Sequence, residues 1–360
     1  MSKIGIMTFH TALNYGAVFQ TYALQKFLID MGYDVKVIDY RCPYTDKIYR
    51  PFYVSDGKYL NAIVRGVLFG GVIKKKRIRF NEFLQNRISL SKSIENTELL
   101  NTVSDEYDYF ISGSDQVWSP ISAGFDIAYF LPFAENEKKI SYAASIGATN
   151  ISDDIISEIK SRLNGFSCLS VREESAKNML ISNGVDKQIY VHIDPTFLLQ
   201  KSDWDMLSSE REIKEDYVLI FNVEKPIRNI DFAKKYAAEN KLKVIYINDR
   251  TVKKDPSITY IEAPTPEQFL SLFKYANLIV TNSFHGTAFS LIFKKDFCVE
   301  LNNQKQFNVR VQGLLEELKI HNRTIDDYCE NNNIDWLSVD SIIDKKRKDT
   351  TDYFNKVLNK

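Results

Sequence analysis

The sequence predicts an α/β protein built as two Rossmann-like domains facing a central cleft. Two observations carry this. Short strand-like runs alternate with helical patterns along most of the chain, as in a parallel sheet covered by helices. The alternation halts over a charged, loop-like stretch at 200–216 and then starts afresh. A length of 360 residues agrees, at about 150 residues per domain.

The elements follow in order. Residues 3–8 are a short apolar run. Val18, Tyr22, Gln25 and Ile29 then recur at helical spacing beside Leu24 and Leu28, and Gly32 stops that helix. Asp34–Tyr40 alternates as a strand, which completes a βαβ unit. Strands are expected at 107–112, 139–146, 168–171 and 188–193, with helices at 152–163 and 173–182. After the break come strands at 217–223, 242–248, 278–282 and 297–301. Helices are expected at 229–240, 286–293, 308–318 and 341–358, and from Thr265 to about Ala276 behind an N-cap and a proline. The domains are thus 1–205, with a helical insertion at about 44–105, and 206–360, whose last helix is expected to cross back onto the first.

Composition excludes several classes. Hydrophobic residues make up 44% and charged residues 26%, as in an ordinary globular protein. Lys+Arg and Asp+Glu are both 47, so no global charge surplus attracts nucleic acid. Four distant cysteines read as core thiols in a reducing compartment. No apolar window is long enough to span a membrane, and Met1–Ile6 runs straight into a strand, so the chain is expected in the cytoplasm. Residues 64–80 join an apolar segment to the basic run 74–79. They read as a peripheral contact with the inner face of the membrane, as a contact with an acidic polymer, or as a helical insertion with one solvated face. Aromatic residues reach 13%. Most suit core faces, whereas Tyr15, Trp118 and Phe284 are expected on cleft loops where rings stack on sugars.

In open α/β sheets ligands bind where strands end and helices begin. That rule selects the loop Phe9–Ala17, with Asn14, Tyr15 and Gly16 before a helix N-terminus; a single glycine rules out a dinucleotide fingerprint. It also selects Ser114-Asp115-Gln116 with Trp118, where Asp115 suits a base towards a hydroxyl and Trp118 a sugar face; the alternative is a capped turn with Trp118 in the core. Arg172 suits a carboxylate or phosphate, or an ion pair with Glu173 or Glu174. Asp194-Pro195 reads as a structural turn, and His10, His192 and His321 as structural residues. His285 stands at a strand-to-helix junction beside the Gly286 and Thr287 amides, placed to donate to an anion or move a proton. No His, Cys or carboxylate spacing suggests a metal site.

Together these segments resemble the polysaccharide pyruvyl transferase family. The match runs through TFHTALNYGAVFQTYALQKFL (8–28), DYFISGSDQVW (108–118), SYAASIG (141–147), SVREE (170–174), HIDPTFLL (192–199) and VTNSFHGTAFSLIF (280–293). The resemblance implies a GT-B-like fold. It also implies transfer of pyruvate from phosphoenolpyruvate to two hydroxyls of a saccharide or lipid-linked saccharide, with no further cofactor. It makes His285 the active-site histidine and Arg172 a donor-holding arginine; Asp115, from its own position, is the candidate acceptor-side base. Where some members carry an arginine two residues before the histidine, this chain has Ser283; Arg310 or a loop lysine could substitute. The competing readings are a GT-B nucleotide-sugar glycosyltransferase, with Glu300 on a ribose, and a non-catalytic sugar- or anion-binding relative.

Overall fold

Apolar runs of four or five residues become central strands here because helices cover both of their faces. The structure is a computed structural model describing residues 1–54, 59–120, 122–147, 151–249, 253–301, 305–329 and 333–358. β1 (Lys3–Met7) is buried after its first residue. α1 (Tyr15–Asp30) and β2 (Asp34–Val37) complete the βαβ unit. Then come α2 (Pro43–Ile48), the 29-residue α3 (Tyr59–Arg87), β3 (Tyr109–Ser112) and β4 (Lys139–Ser141). α4 (Asp153–Leu163), β5 (Leu169–Val171), α5 (Glu174–Ser182) and β6 (Ile189–Val191) end the first series.

The second series opens with α6 (Lys201–Leu207), β7 (Tyr217–Phe221), α7 (Asn229–Asn240), β8 (Lys243–Ile247) and β9 (Ile258–Ile261). It continues through α8 (Pro266–Lys274), β10 (Leu278–Thr281), α9 (Phe284–Ile292) and β11 (Asp296–Val299). α10 (Lys305–Glu317) and α11 (Trp336–Leu358) close the described chain.

Two compact units result. Unit 1 comprises Met1–Ile48, Leu84–Leu199 and Ser341–Lys360; unit 2 comprises Tyr49–Phe83 and Gln200–Asp340. In unit 1 a parallel sheet runs β2-β1-β3-β4, and the pair β5-β6 joins it through bridges from Ile140 to Cys168 and from Ala144 to Val171. In unit 2 the order is β9-β8-β7-β10-β11, again all parallel. Numbered within the unit this is 3-2-1-4-5, the Rossmann order, whose switch point lies between β7 and β10. The corresponding point in unit 1 lies between β1 and β3, the neighbours that diverge from β2. The fold is α/β, with two Rossmann-like units.

Several elements differ from the sequence expectation: β4 stops at Ser141 where a strand to 146 is expected, and α11 starts at Trp336 rather than at 341. The charged stretch after residue 200 contains α6, started by a Gln200–Asp203 capping box and anchored by the buried Trp204 edge-on to Phe289 at 5.1 Å. β9 is an additional strand. Residues 49–83 group with unit 2 rather than with the first domain: Lys76 pairs with Asp249 at 2.6 Å, and Arg79 donates to the Ala263 carbonyl at 2.6 Å. Ser341–Lys360 lies in unit 1, where Arg347 donates to the Phe197 and Leu199 carbonyls and Tyr353 to the Ser141 carbonyl. Among the cysteines, Cys42 and Cys298 are buried core thiols, whereas Cys168 is half-buried and Cys329 is exposed. No helix among the described residues is long and apolar enough to cross a membrane.

Candidate functional site

The loops at the carboxyl ends of the unit 1 strands are held by their own side chains. Asn14 caps α1, its Oδ1 accepting from the Gly16 amide at 2.9 Å and the Ala17 amide at 3.4 Å. The amides expected to meet an anion are therefore engaged by the cap. Tyr15 and Gly16 are buried within the helix. In the second loop Ser114 is fully buried and donates to the Ala143 carbonyl, while Gln116 accepts from Ser122. Gly113 has φ +119, and a Cβ there would lie 2.3 Å from the Tyr142 carbonyl, so this turn requires glycine. Asp115, also at positive φ, is half-buried and accepts from the Gln116 amide at 2.9 Å.

Trp118 corrects the expectation of a sugar-stacking ring. It is fully buried, stacked on Phe130 at 5.7 Å, with its indole N–H donating to the Tyr129 carbonyl. Tyr15 and Phe284 are buried too. All three rings are core residues, because each sits where its loop has already turned inward.

Arg172 follows β5 and is buried among carboxylates. Its Nε donates to Glu173 at 3.0 Å and its Nη1 to Asp194 at 2.7 Å. Burial disfavours the charge, but Glu173, Asp194 and Asp115 outweigh it and hold the guanidinium above its usual range. Ser145 donates to Glu173, and Thr196 donates to Asp194 through its amide and its hydroxyl. The ion-pair alternative for Arg172 is the one realised, with Asp194 as a further partner. As folded, Nε and Nη1 of this guanidinium are held by carboxylates.

A second charged cluster borders the first loop. His10 Nε2 lies 2.9 Å from Asp39 Oδ1 and its Nδ1 3.2 Å from the Thr8 carbonyl, while Arg41 donates to the other Asp39 oxygen at 2.8 Å. Burial raises the Asp39 carboxyl, but its bonds to His10 and Arg41 prevail and lower it overall. His192 is structural, as expected: buried in a stack with Tyr142, Tyr190 and Tyr353, its Nδ1 2.7 Å from Ser170 Oγ.

In unit 2 the loop after β10 reaches the switch point. Thr281 Oγ1 donates to the Phe221 carbonyl on β7 and accepts from the Ser283 amide, which ties the two strand ends together. Asn282 accepts from the Val223 and Glu224 amides. Ser283 is the N-cap of α9, its Oγ accepting from the Gly286 amide at 3.2 Å and its carbonyl from the Thr287 amide at 2.9 Å. The Gly286 and Thr287 amides are thus used inside the helix rather than offered to an anion, and Thr287 is fully buried. Gly286 is explained by packing, since a Cβ there would lie 2.2 Å from Thr281 Oγ1.

His285 occupies the first turn of α9, buried, its ring edge-on to Phe284 at 5.2 Å. Arg310 on α10 places its guanidinium 6.0 Å from the Phe284 ring, which brings a cation to this helix end. Glu300, the candidate ribose partner, accepts from the Ile227 and Arg228 amides and so holds the entry to α7. No cluster of three or more metal-ligating side chains is present among the described residues.

Sequence reading missed Asp194 and Asp39 as charge partners. The first follows from register alone: β5 and β6 pair Val171 with Val191, so the residues after both strands emerge side by side.

Parallel Rossmann-like sheets with candidate residues at both switch points define a GT-B-like protein. A UDP-N-acetylglucosamine 2-epimerase assignment from Listeria monocytogenes superposes with a TM-score of 0.51, at 10% identity over 99% of this chain and 90% of that one. A UDP-GlcNAc 2-epimerase from Methanocaldococcus jannaschii gives 0.47 at 14% identity, covering 95% and 91%. A glycosyltransferase from Streptomyces sp. SF2575 gives 0.43 at 10%, covering 97% and 96%. No curated protein matches the chain. The family model for polysaccharide pyruvyl transferase matches residues 14–302, and the chain belongs to that family.

Proposed function

We propose that this protein transfers pyruvate from phosphoenolpyruvate to two hydroxyls of one saccharide, forming a cyclic ketal and releasing phosphate. The observation that carries this reading is His285 in the first turn of α9, at the Rossmann switch point of unit 2, in a chain of this family.

The chemistry needs an acid, a base and an anion site. One hydroxyl adds to C2 as a proton reaches the methylene carbon, giving C2 oxocarbenium character. The second hydroxyl then displaces phosphate, which leaves with the remaining proton. His285 is proposed as the acid or as a phosphate ligand, with Arg310, whose guanidinium lies 6.0 Å from the Phe284 ring, as a cation near its helix end. Asp115 is proposed as the acceptor-side base. Arg172, paired with Glu173 and Asp194, enters as a positioning residue that fixes the β5 and β6 loops. The acceptor class is a saccharide or lipid-linked saccharide. A nucleotide-sugar reading is less well supported, because Glu300 spends its carboxylate on backbone amides.

The test is phosphate release from phosphoenolpyruvate across a panel of saccharide acceptors. His285→Ala is expected to lower turnover by at least about a hundredfold, the usual scale of a lost acid or base, in a variant that still folds cooperatively with a thermal midpoint lowered by the truncation of a buried ring. Full activity in that variant removes His285 from the mechanism. Thermal stabilisation by UDP or GDP, with none by phosphoenolpyruvate, favours the glycosyltransferase alternative.

A further inference from the structure

α3 exposes an apolar stripe that packing among the described residues leaves uncovered. Leu60, Ile63, Val64, Val67 and Leu68 are all exposed, Leu60 and Val67 by 78% and 75%. Their spacing of three and four residues puts them on one face of the helix. That face continues through Gly71 to Lys74, Lys75 and Ile78, also exposed. Phe52, 61% exposed, lies over Gly66, where a Cβ would come within 2.2 Å of its ring, and adds a further apolar surface beside the stripe.

Charge on the helix is one-sided. Residues 59–81 contain Arg65, Lys74, Lys75, Lys76, Arg77 and Arg79 and not one acidic residue. The structure divides these cations by task. Lys76 pairs with Asp249, Arg77 donates to the Tyr49 carbonyl and Arg79 to the Ala263 carbonyl, which anchors the helix to its own unit. Lys74 and Lys75 instead share the exposed face with the apolar side chains.

We propose that this face of α3 docks on an anionic lipid bilayer. The apolar residues would enter the headgroup boundary while Lys74 and Lys75 meet lipid phosphates, the arrangement by which amphipathic helices bind interfaces. Charge complementarity selects this occupant over a second copy of the chain. In a two-fold contact the face would meet itself, and no carboxylate between residues 59 and 81 could answer the lysines. The inference does not depend on the chemistry proposed above.

The experiment is co-sedimentation of the full chain with phosphatidylglycerol–phosphatidylcholine vesicles and with pure phosphatidylcholine vesicles, at low and high salt. Binding to the anionic vesicles, weakened by salt, is expected. Val64→Glu with Val67→Glu should lower the partition about tenfold or more, and Lys74→Glu with Lys75→Glu should abolish the preference for anionic lipid. These side chains are exposed, so unchanged melting is expected and serves as the folding control. Absence of binding to either vesicle overturns the proposal, as does equal binding to both. A dimer in solution that Val67→Glu dissociates, without vesicle binding, assigns the face to a second copy. Binding to dextran sulfate without vesicle binding assigns it to a soluble acidic polymer.

Discussion

The strand ends of the two units hold their loops by different means. In unit 1 neutral bonds of Asn14 and Ser114 hold the loops at the switch point, and charge holds the loops after β5 and β2: Arg172 lies between Glu173 and Asp194, and Asp39 between His10 and Arg41. In unit 2 the loop after β10 is fixed by neutral groups, with Thr281, Asn282 and Ser283 each bonded to backbone. The difference separates two demands on a strand end. Charge that is internally compensated makes a rigid wall and leaves little to offer a ligand. A neutral helix cap keeps the helix start in place and leaves the electrostatics of the site to His285 and Arg310.

That contrast can be broken by removing one member of a buried pair. Asp194→Ala leaves the Arg172 guanidinium buried beside a lost partner and also releases Thr196. A loss of about 3–5 kcal/mol is expected in urea unfolding. A loss below about 1 kcal/mol would mean that unit 1 does not rely on this charge.

Acid gives the next largest effect. Burial, with the nearby charge of Lys346, depresses His192 from 6.5 to about 4. The unfolded chain therefore binds a proton that the folded one refuses. Stability is full above pH 6.5 and falls as the pH drops towards 4, by about 3 kcal/mol in all. Comparing unfolding free energies of the protein and its His192→Gln variant across pH 4–7 checks this; the variant should show a shallower slope by that amount.

Unit 2 should respond to shape rather than charge. Gly286→Ala forces a Cβ against Thr281 Oγ1 and is expected to cost roughly 1–3 kcal/mol. Ser283→Ala removes the cap and should cost about 1 kcal/mol, with a change in donor KM if the α9 start holds the donor. Chemical denaturation of both variants measures these costs, and a cost for Ser283→Ala that depends on salt would contradict the neutral reading.

Much of the fold was legible. Helix 229–240 and the strand after Leu278 were marked by periodicity and burial-type residues. α6 was not, because its two buried residues, Trp204 and Leu207, sit in an otherwise charged segment. Within the site, the topological address of His285 was legible, since a strand followed by Gly and a helical run is a local pattern. The burial of Trp118 was not, for a ring near a strand end can turn either way. Nor was the fate of Arg172, whose second partner lies 22 residues away.

By itself the sequence determined the alternation, the family and the loops that can bear chemistry, because these depend on neighbours in the chain. Only the tertiary structure decided which polar groups there were already consumed. A hydrogen bond or ion pair between residues such as Arg172 and Asp194 depends on strand register, and a helix face such as that of α3 is exposed or covered only once the elements around it are in place.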